Sequence, residues 1–262
     1  MSLKMHLGHA ETVAWCEAVA DVARAHPAIA GGEAELVVLP SYLSVPAALG
    51  ILDGVAAVGA QDLAAEDSGA FTGEVSGGQI RELGGAFVEV GHAERRRLFG
   101  ETDEVVRRKA DAALRNGLVP LICVGEERRG DRSDAARECV RQLDDALALA
   151  AAAGHGGRIV VAYEPHWAIG AAEPASDAHI RACAGSCART SGRSTRTRDP
   201  RSSTAAARDR GSSPASGTTS TACSSAGSRT TRGRSGRSST RCTPAPPPGR
   251  RPAPPADGRL SW

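Results

Sequence analysis

A lysine, a histidine and a glutamate stand at the ends of three apolar runs, and side chains of these types could together move a proton beside a carbonyl. Lys4 closes the short run in Ser2-Leu3-Lys4-Met5. His92 follows Phe87-Val88-Glu89-Val90-Gly91, where Gly91 gives the chain room to leave a strand tightly. Glu164 ends Ile159-Val160-Val161-Ala162-Tyr163 and precedes Pro165. A carboxylate at the mouth of a buried strand is costly unless it is paired or used. By type alone, each of the three also fits an ordinary surface or structural position.

The elements that must position these groups alternate in a steady rhythm. Apolar segments at Leu3 to Leu7, Glu35 to Leu39, Val55 to Gly59, Ala86 to Val90, Leu118 to Val124 and Arg158 to Tyr163 read as six strands. Between them Glu11 to Ala25, Val45 to Leu52, Gly78 to Leu83, Asp103 to Leu114 and Asp134 to Ala153 read as helices, the fourth ended by Asn116-Gly117. Short, nearly unbroken apolar strands separated by helices describe a parallel sheet covered on both faces. Periodicity does not separate a closed (β/α)8 barrel from an open doubly wound sheet. Polar groups just beyond several strand ends, at Lys4, His92, Glu126 and Glu164, favour the barrel, whose strand ends converge on one face. Neither GxGxxG after the first strand nor GxxxxGK[ST] is present, so the common nucleotide sites of open sheets have no support.

Four segments in order resemble the triosephosphate isomerase family. Ser2-Leu3-Lys4-Met5 is similar to the segment bearing its substrate-binding lysine. Val58-Gly59-Ala60-Gln61-Asp62, with Gly69-Ala70-Phe71-Thr72-Gly73-Glu74-Val75-Ser76, resembles its third strand and the loop that reaches across a dimer. Glu89-Val90-Gly91-His92-Ala93-Glu94-Arg95-Arg96 resembles the catalytic-histidine motif, and Ala162 to Gly170 the catalytic-glutamate motif with its phosphate-gripping lid. The resemblance implies a TIM barrel that interconverts glyceraldehyde 3-phosphate and dihydroxyacetone phosphate without metal or organic cofactor. The family is the standard example of the roles it lends: Glu164 as base, neutral His92 as shuttle between the two substrate oxygens, and Lys4 beside the oxyanion and phosphate. It further implies that Glu94 holds hydrogen bonds near the lysine, that Gly170 serves the lid, and that Thr72, Gly73 and Glu74 form the dimer loop.

Several positions depart from the family pattern. Ser2-Leu3 replaces Asn-Trp, Ala93 replaces serine, and Ala171-Ala172-Glu173 replaces Thr-Gly-Lys at the lid tip. Such a side branch could include isomerases of four-carbon ketose phosphates. The chain also begins almost on Lys4, as a start placed too late in the frame would give.

Beyond about residue 181 the composition changes. In 182–262 large aliphatic residues nearly vanish and Ser, Thr, Arg, Gly and Pro dominate, which reads as a disordered tail and a barrel incomplete after strand six. Residues 1–181 then form the barrel portion. A one-nucleotide slip near Ala182 accounts for the change: codons for Ser202 to Arg210 can spell Val-Ile-Tyr-Gly-Gly-Ser-Ala-Gly-Pro in the neighbouring frame, the family's seventh-strand phosphate motif. Those for Thr221 to Ser225 can hide Gly-Leu-Phe-Leu-Gly, which resembles strand eight. As written, the chain is expected to be unstable and nearly inactive. Two other readings are an inactive remnant that serves as a dimer partner and a basic arm for nucleic acid; the arm lacks interleaved aromatics and lysine, which disfavours it.

The formal charge of +2 averages an acidic first part with an arginine-rich tail and excludes little. Seven cysteines without CxxC pairs fit a reducing cytoplasm, with Cys16, Cys123 and Cys139 as core thiols. There is no apolar stretch of membrane-spanning length and no signal-like N-terminus. The expected product is a cytoplasmic homodimer acting on a small phosphorylated sugar.

Overall fold

The computed structural model describes residues 1–169, 171, 173–194 and 220–223. Five strands, β1 (Val37–Val38), β2 (Ala57–Ala60), β3 (Phe87–Val90), β4 (Val119–Val124) and β5 (Val160–Tyr163), lie parallel in chain order, each beside its successor. Between them run α1 (His9–Ala25) and α2 (Pro27–Ala30) before β1, then α3 (Val45–Ile51), α4 (Gly77–Glu82), α5 (Ala93–Phe99), α6 (Asp103–Arg115) and α7 (Arg132–Ala153). After β5 come α8 (Asp177–Ser194) and β6 (Ser220–Cys223), which pairs parallel to β5.

The sheet curls. Laid flat, β1 and β5 would stand about 19 Å apart, four strand spacings. Yet Arg158, just before β5, donates from Nη1 to Glu35 Oε1 at 3.2 Å, just before β1. Alternation along the strands then sorts the side chains into two cores. Leu39, Phe87 and Val160 pack together inside the curve with Val37, Ala57, Val119 and Leu121. Val88, Val90, Ile122, Val161 and Tyr163 face outward into a second core with Val106, Ala110 and Ala113 of α6 and Cys139, Leu143 and Ala146 of α7. Side chains from alternate strands meeting in one inner layer are the packing of a (β/α) barrel, so β1 to β5 form a parallel half-barrel.

Local signals explain the boundaries. The Thr102 hydroxyl accepts from the Val105 N–H to open α6, and the Asp131 carboxylate from the Ser133 N–H to open α7. Several elements differ from the sequence reading. The segment Leu3 to Leu7 is not a strand: Ser2 makes a single bridge to Leu39, and the chain turns at Lys4, whose φ is +49°. Helix α5 was missed because Ala93-Glu94-Arg95-Arg96-Arg97-Leu98-Phe99 shows almost no apolar stripe; only Ala93 is buried. Helix α8 continues to Ser194, past residue 181, packing Cys183 and Cys187 against α7 with side chains too small to read as a core face. β6, in the segment read as a strandless tail, pairs through its backbone along β5, whose edge would otherwise leave N–H and C=O groups unpaired.

A buried ionic cluster braces the loops at the strands' C-terminal ends. Lys109 of α6 donates to Asp62 at 2.7 and 2.8 Å and to Glu101 at 2.5 Å, and Arg95 reaches Asp62 at 2.8 Å and Glu101 at 2.5 Å. Burial holds the Asp62 carboxyl above its usual range against the pull of Lys109. Burial would do the same at Glu101, but hydrogen bonds from Lys109 and Arg95 outweigh it and bring that carboxyl below its usual range. Lys109→Met should cost about 3 kcal/mol, because it leaves two buried carboxylates with one cation. The loss, read from urea midpoints, should shrink from pH 7 to pH 5 as the raised carboxyl takes up a proton; a midpoint unchanged at both values would contradict this.

Candidate active site

The histidine is set by the turn from β3 into α5. Gly91, at φ +74°, turns the chain sharply, and His92 becomes the N-cap of α5. Its Nδ1 accepts the Glu94 backbone N–H at 3.1 Å. That bond places the ring proton on Nε2. Nε2 lies 3.4 Å from Glu164 Oε2, and both side chains are largely buried.

Glu164 continues the inner face of β5, and its own N–H donates to Val124 O at 2.9 Å. Its carbonyl side is pressed against Gly125, where an added Cβ would sit 2.0 Å from the Glu164 oxygen. Gly125→Ala should therefore push the Glu164 backbone aside. A shift near 1 Å lowers kcat by about a hundredfold where the base must be aligned. Comparing kcat with thermal stability separates this from a folding defect; full kcat in a folded variant would refute it.

Lys4 completes the group from the other side. Its Nζ donates to Glu94 Oε1 at 2.7 Å, and this bond is the main reason the Glu94 carboxyl lies below its usual range. Glu94 Oε2 is 3.8 Å from His92 Nδ1, so Lys4, Glu94, His92 and Glu164 form one chain of polar contacts. The Gln61 side-chain amide donates to the carbonyls of both Lys4, at 3.0 Å, and Leu39, at 2.9 Å. It thereby ties the strained Lys4 backbone to the end of β1. The sequence reading quoted Gln61 in a motif without giving it a task, since nothing local shows that its partners lie 57 and 22 residues away.

Glu89, two residues before Gly91, is also missing from the sequence-based site. It is 8% exposed and accepts from the Ser2 hydroxyl at 3.0 Å. Burial raises its carboxyl above the ordinary value of 4.5; His92, Ser2 and Lys4 oppose that, while Glu164 adds to it. The folded chain thus keeps a proton that the unfolded chain has already released, so unfolding free energy falls as pH rises from about 4.5 through the native value. Glu89→Gln should remove this slope. Its melting temperature should gain more over the parent at pH 8 than at pH 5, and a gain independent of pH would refute the assignment.

Beyond Pro165 a turn at His166–Ala168 begins the segment read as a lid. Its base is fixed by Glu126, which accepts from Trp167 Nε1 at 2.7 Å and from the Tyr163 hydroxyl at 3.1 Å, and which lies 2.9 Å from His179 Nε2. Glu126, His179 and Cys183 bring three ligand-type atoms within 4.8 Å of one another, but the carboxylate is already engaged by these three partners. Gly170 lies outside the described residues. Thr72, Gly73 and Glu74 sit exposed at the tip of the loop between β2 and α4, apart from this group of contacts.

These features gather Lys4, Glu94, His92 and Glu164 at the C-terminal mouth of a curled parallel sheet. The family model described as "Triosephosphate isomerase" matches residues 1–200. The chain is 49% identical over 181 residues to an L-erythrulose-1-phosphate isomerase of Pectobacterium atrosepticum, covering 69% of this chain and 70% of that protein. It is 42% identical over 182 residues to a triosephosphate isomerase of Herpetosiphon aurantiacus, covering 68% and 70%. The crystal structure of triosephosphate isomerase from Bartonella henselae superposes with a TM-score of 0.56 at 31% identity, covering 72% of each chain. The chain belongs to the triosephosphate isomerase family.

Proposed function

We propose that this site isomerises a triose phosphate, interconverting glyceraldehyde 3-phosphate and dihydroxyacetone phosphate. The observation that carries the reading is the pairing of His92 Nε2 with Glu164 Oε2 at 3.4 Å while Nδ1 is tied to the start of α5. Glu164 removes the proton from the carbon beside the carbonyl and returns it to the neighbouring carbon. His92, with its proton on Nε2, donates to the substrate oxygens as the enediol(ate) forms. Lys4 lends positive charge to the oxyanion and phosphate, and Glu94 fixes where that charge sits. Gly170 and the segment around it would close over the phosphate and exclude water. The chemistry needs no metal or organic cofactor.

A second substrate, a four-carbon ketose phosphate, is favoured by the 49% identical relative and by Ser2 in place of the family's asparagine. Among the described residues no helix is long and apolar enough to cross a membrane. A cytoplasmic homodimer is the assembly this reading carries, with Thr72, Gly73 and Glu74 at the contact. A coupled assay on the purified chain with glyceraldehyde 3-phosphate tests the reading, beside a chain whose frame is restored near Ala182. Turnover in either supports an isomerase of trioses; turnover in neither moves the assignment to the four-carbon substrate or to a non-catalytic role.

A further inference from the structure

The inner layer of the sheet is apolar at almost every position, with Val37, Ala57, Phe87, Val119, Leu121 and Val160. Aliphatic filling is what a barrel interior needs, and a carboxyl there carries a desolvation cost. Glu89 breaks the pattern directly beneath the reacting groups, one inward position before Gly91 and His92 on the same strand. Its two oxygens are unequally served. Oε2 accepts from the Ser2 hydroxyl at 3.0 Å, whereas among the described residues Oε1 has only the Cys123 thiol, at 3.9 Å, as a donor. A thiol is a weak donor, so Oε1 keeps room for a stronger partner.

The neighbouring side chains are also small. Cys123 of β4 and Ala162 of β5 are register partners on the inner face, and both are small, as is Ser2. Small side chains around one under-served carboxyl suit a polar group brought in by a ligand. The reacting carbons must lie against both His92 and Glu164, with the phosphate toward Lys4 and the lid. A triose phosphate offers a single hydroxyl or aldehyde at that reacting end. A four-carbon ketose phosphate adds a hydroxymethyl on the reacting carbon, which needs both a cavity and a hydrogen-bond partner.

We propose that Glu89, held by Ser2, is a specificity-determining residue that binds the extra hydroxymethyl of a four-carbon keto-sugar phosphate. The inference rests on the phosphosugar isomerase reading and builds on its second substrate, the four-carbon ketose phosphate. The proton transfer itself is unchanged: Glu164 and His92 act on the same two carbons, and Glu89 only accepts a hydrogen bond from the added hydroxyl. A site built around such a bond disfavours a ligand that lacks the hydroxyl, because the buried carboxyl is then left without its partner.

Two inert phosphates that differ by one hydroxymethyl, erythritol 4-phosphate and glycerol 3-phosphate, give a readout that does not depend on turnover. Titration calorimetry on the full chain, as written and with its frame restored near Ala182, should show erythritol 4-phosphate binding at least about tenfold more tightly in whichever form binds. Glu89→Leu should bring the ratio near one, Ser2→Ala should lower it in part, and Glu89→Gln, which keeps shape and an acceptor, should preserve some preference. Melting curves confirm that each variant is folded, and Ser2→Ala carries the test if Glu89→Leu is not. Equal binding of both phosphates, or a ratio that the variants leave unmoved, overturns the role of Glu89 while the isomerase reading stands. Binding of neither phosphate by either form overturns both.

Discussion

Glu164→Gln is expected to lower kcat about a thousandfold in whichever form of the chain turns over, with little change in KM. Removing a positioned general base takes away about 10² to 10⁴ in rate, and a thousandfold corresponds to about 4 kcal/mol of transition-state stabilisation. The substitution is close to isosteric. The backbone bond from Glu164 N–H to Val124 O does not involve the side chain, so the strand end should keep its place. A glutamine amide can still face His92 Nε2 but cannot take a proton from carbon. The loss should therefore appear in kcat, where an interaction made only in the transition state is read. Glu164→Asp, which keeps the base but retracts it, should fall between the two. A Glu164→Gln variant with more than about a tenth of the parent's kcat would sink the assignment of the base.

The parts of this fold that could be read in the sequence are those where apolar spacing and capping agree. α6 was placed within a residue at each end because Thr102, Asp103 and Asn116-Gly117 mark its limits around a clear apolar stripe. β3, β4 and β5 carry runs of large aliphatic residues with a glycine or glutamate at the exit, which also pointed to His92 and Glu164. What escaped is what depends on distant partners. Nothing near Gln61 shows that it bridges Lys4 and Leu39, and nothing in Phe87-Val88-Glu89-Val90 says which of its residues face inward until the register with β4 is known. α8 escaped for another reason: Ile180, Cys183 and Cys187 keep helical spacing, but two of the three are small thiols in a stretch rich in Ala, Ser and Arg. Lys4 was found through its motif, while its left-handed backbone became evident only in the fold.

Restoring the reading frame after Ala182 should change activity more than any single substitution, by about 10⁴-fold. The reason lies in what grips the phosphate. In this family the grip comes from backbone N–H groups of a serine-bearing loop after strand seven and a glycine pair at strand eight, and residues 183–262 contain no Gly-Gly pair at all. A hydrogen bond from N–H to a charged oxygen is worth about 2 kcal/mol, so the loss of about three such donors amounts to about 6 kcal/mol, or about 10⁴ in kcat/KM. Part of that falls on kcat, because binding energy at a remote group helps hold the reacting carbons against Glu164. Lys4, His92 and Glu164 all lie before Ala182, so the two forms share these groups and differ in the grip and in how much of the barrel encloses them. The nucleotide sequence provides the first check: a one-base shift near Ala182 must yield the Val-Ile-Tyr-Gly-Gly-Ser-Ala-Gly-Pro motif. Equal activity of the two purified forms would mean that the written tail supplies a phosphate grip of its own, and activity on glyceraldehyde 3-phosphate in neither would move the assignment to the four-carbon substrate or to a non-catalytic role.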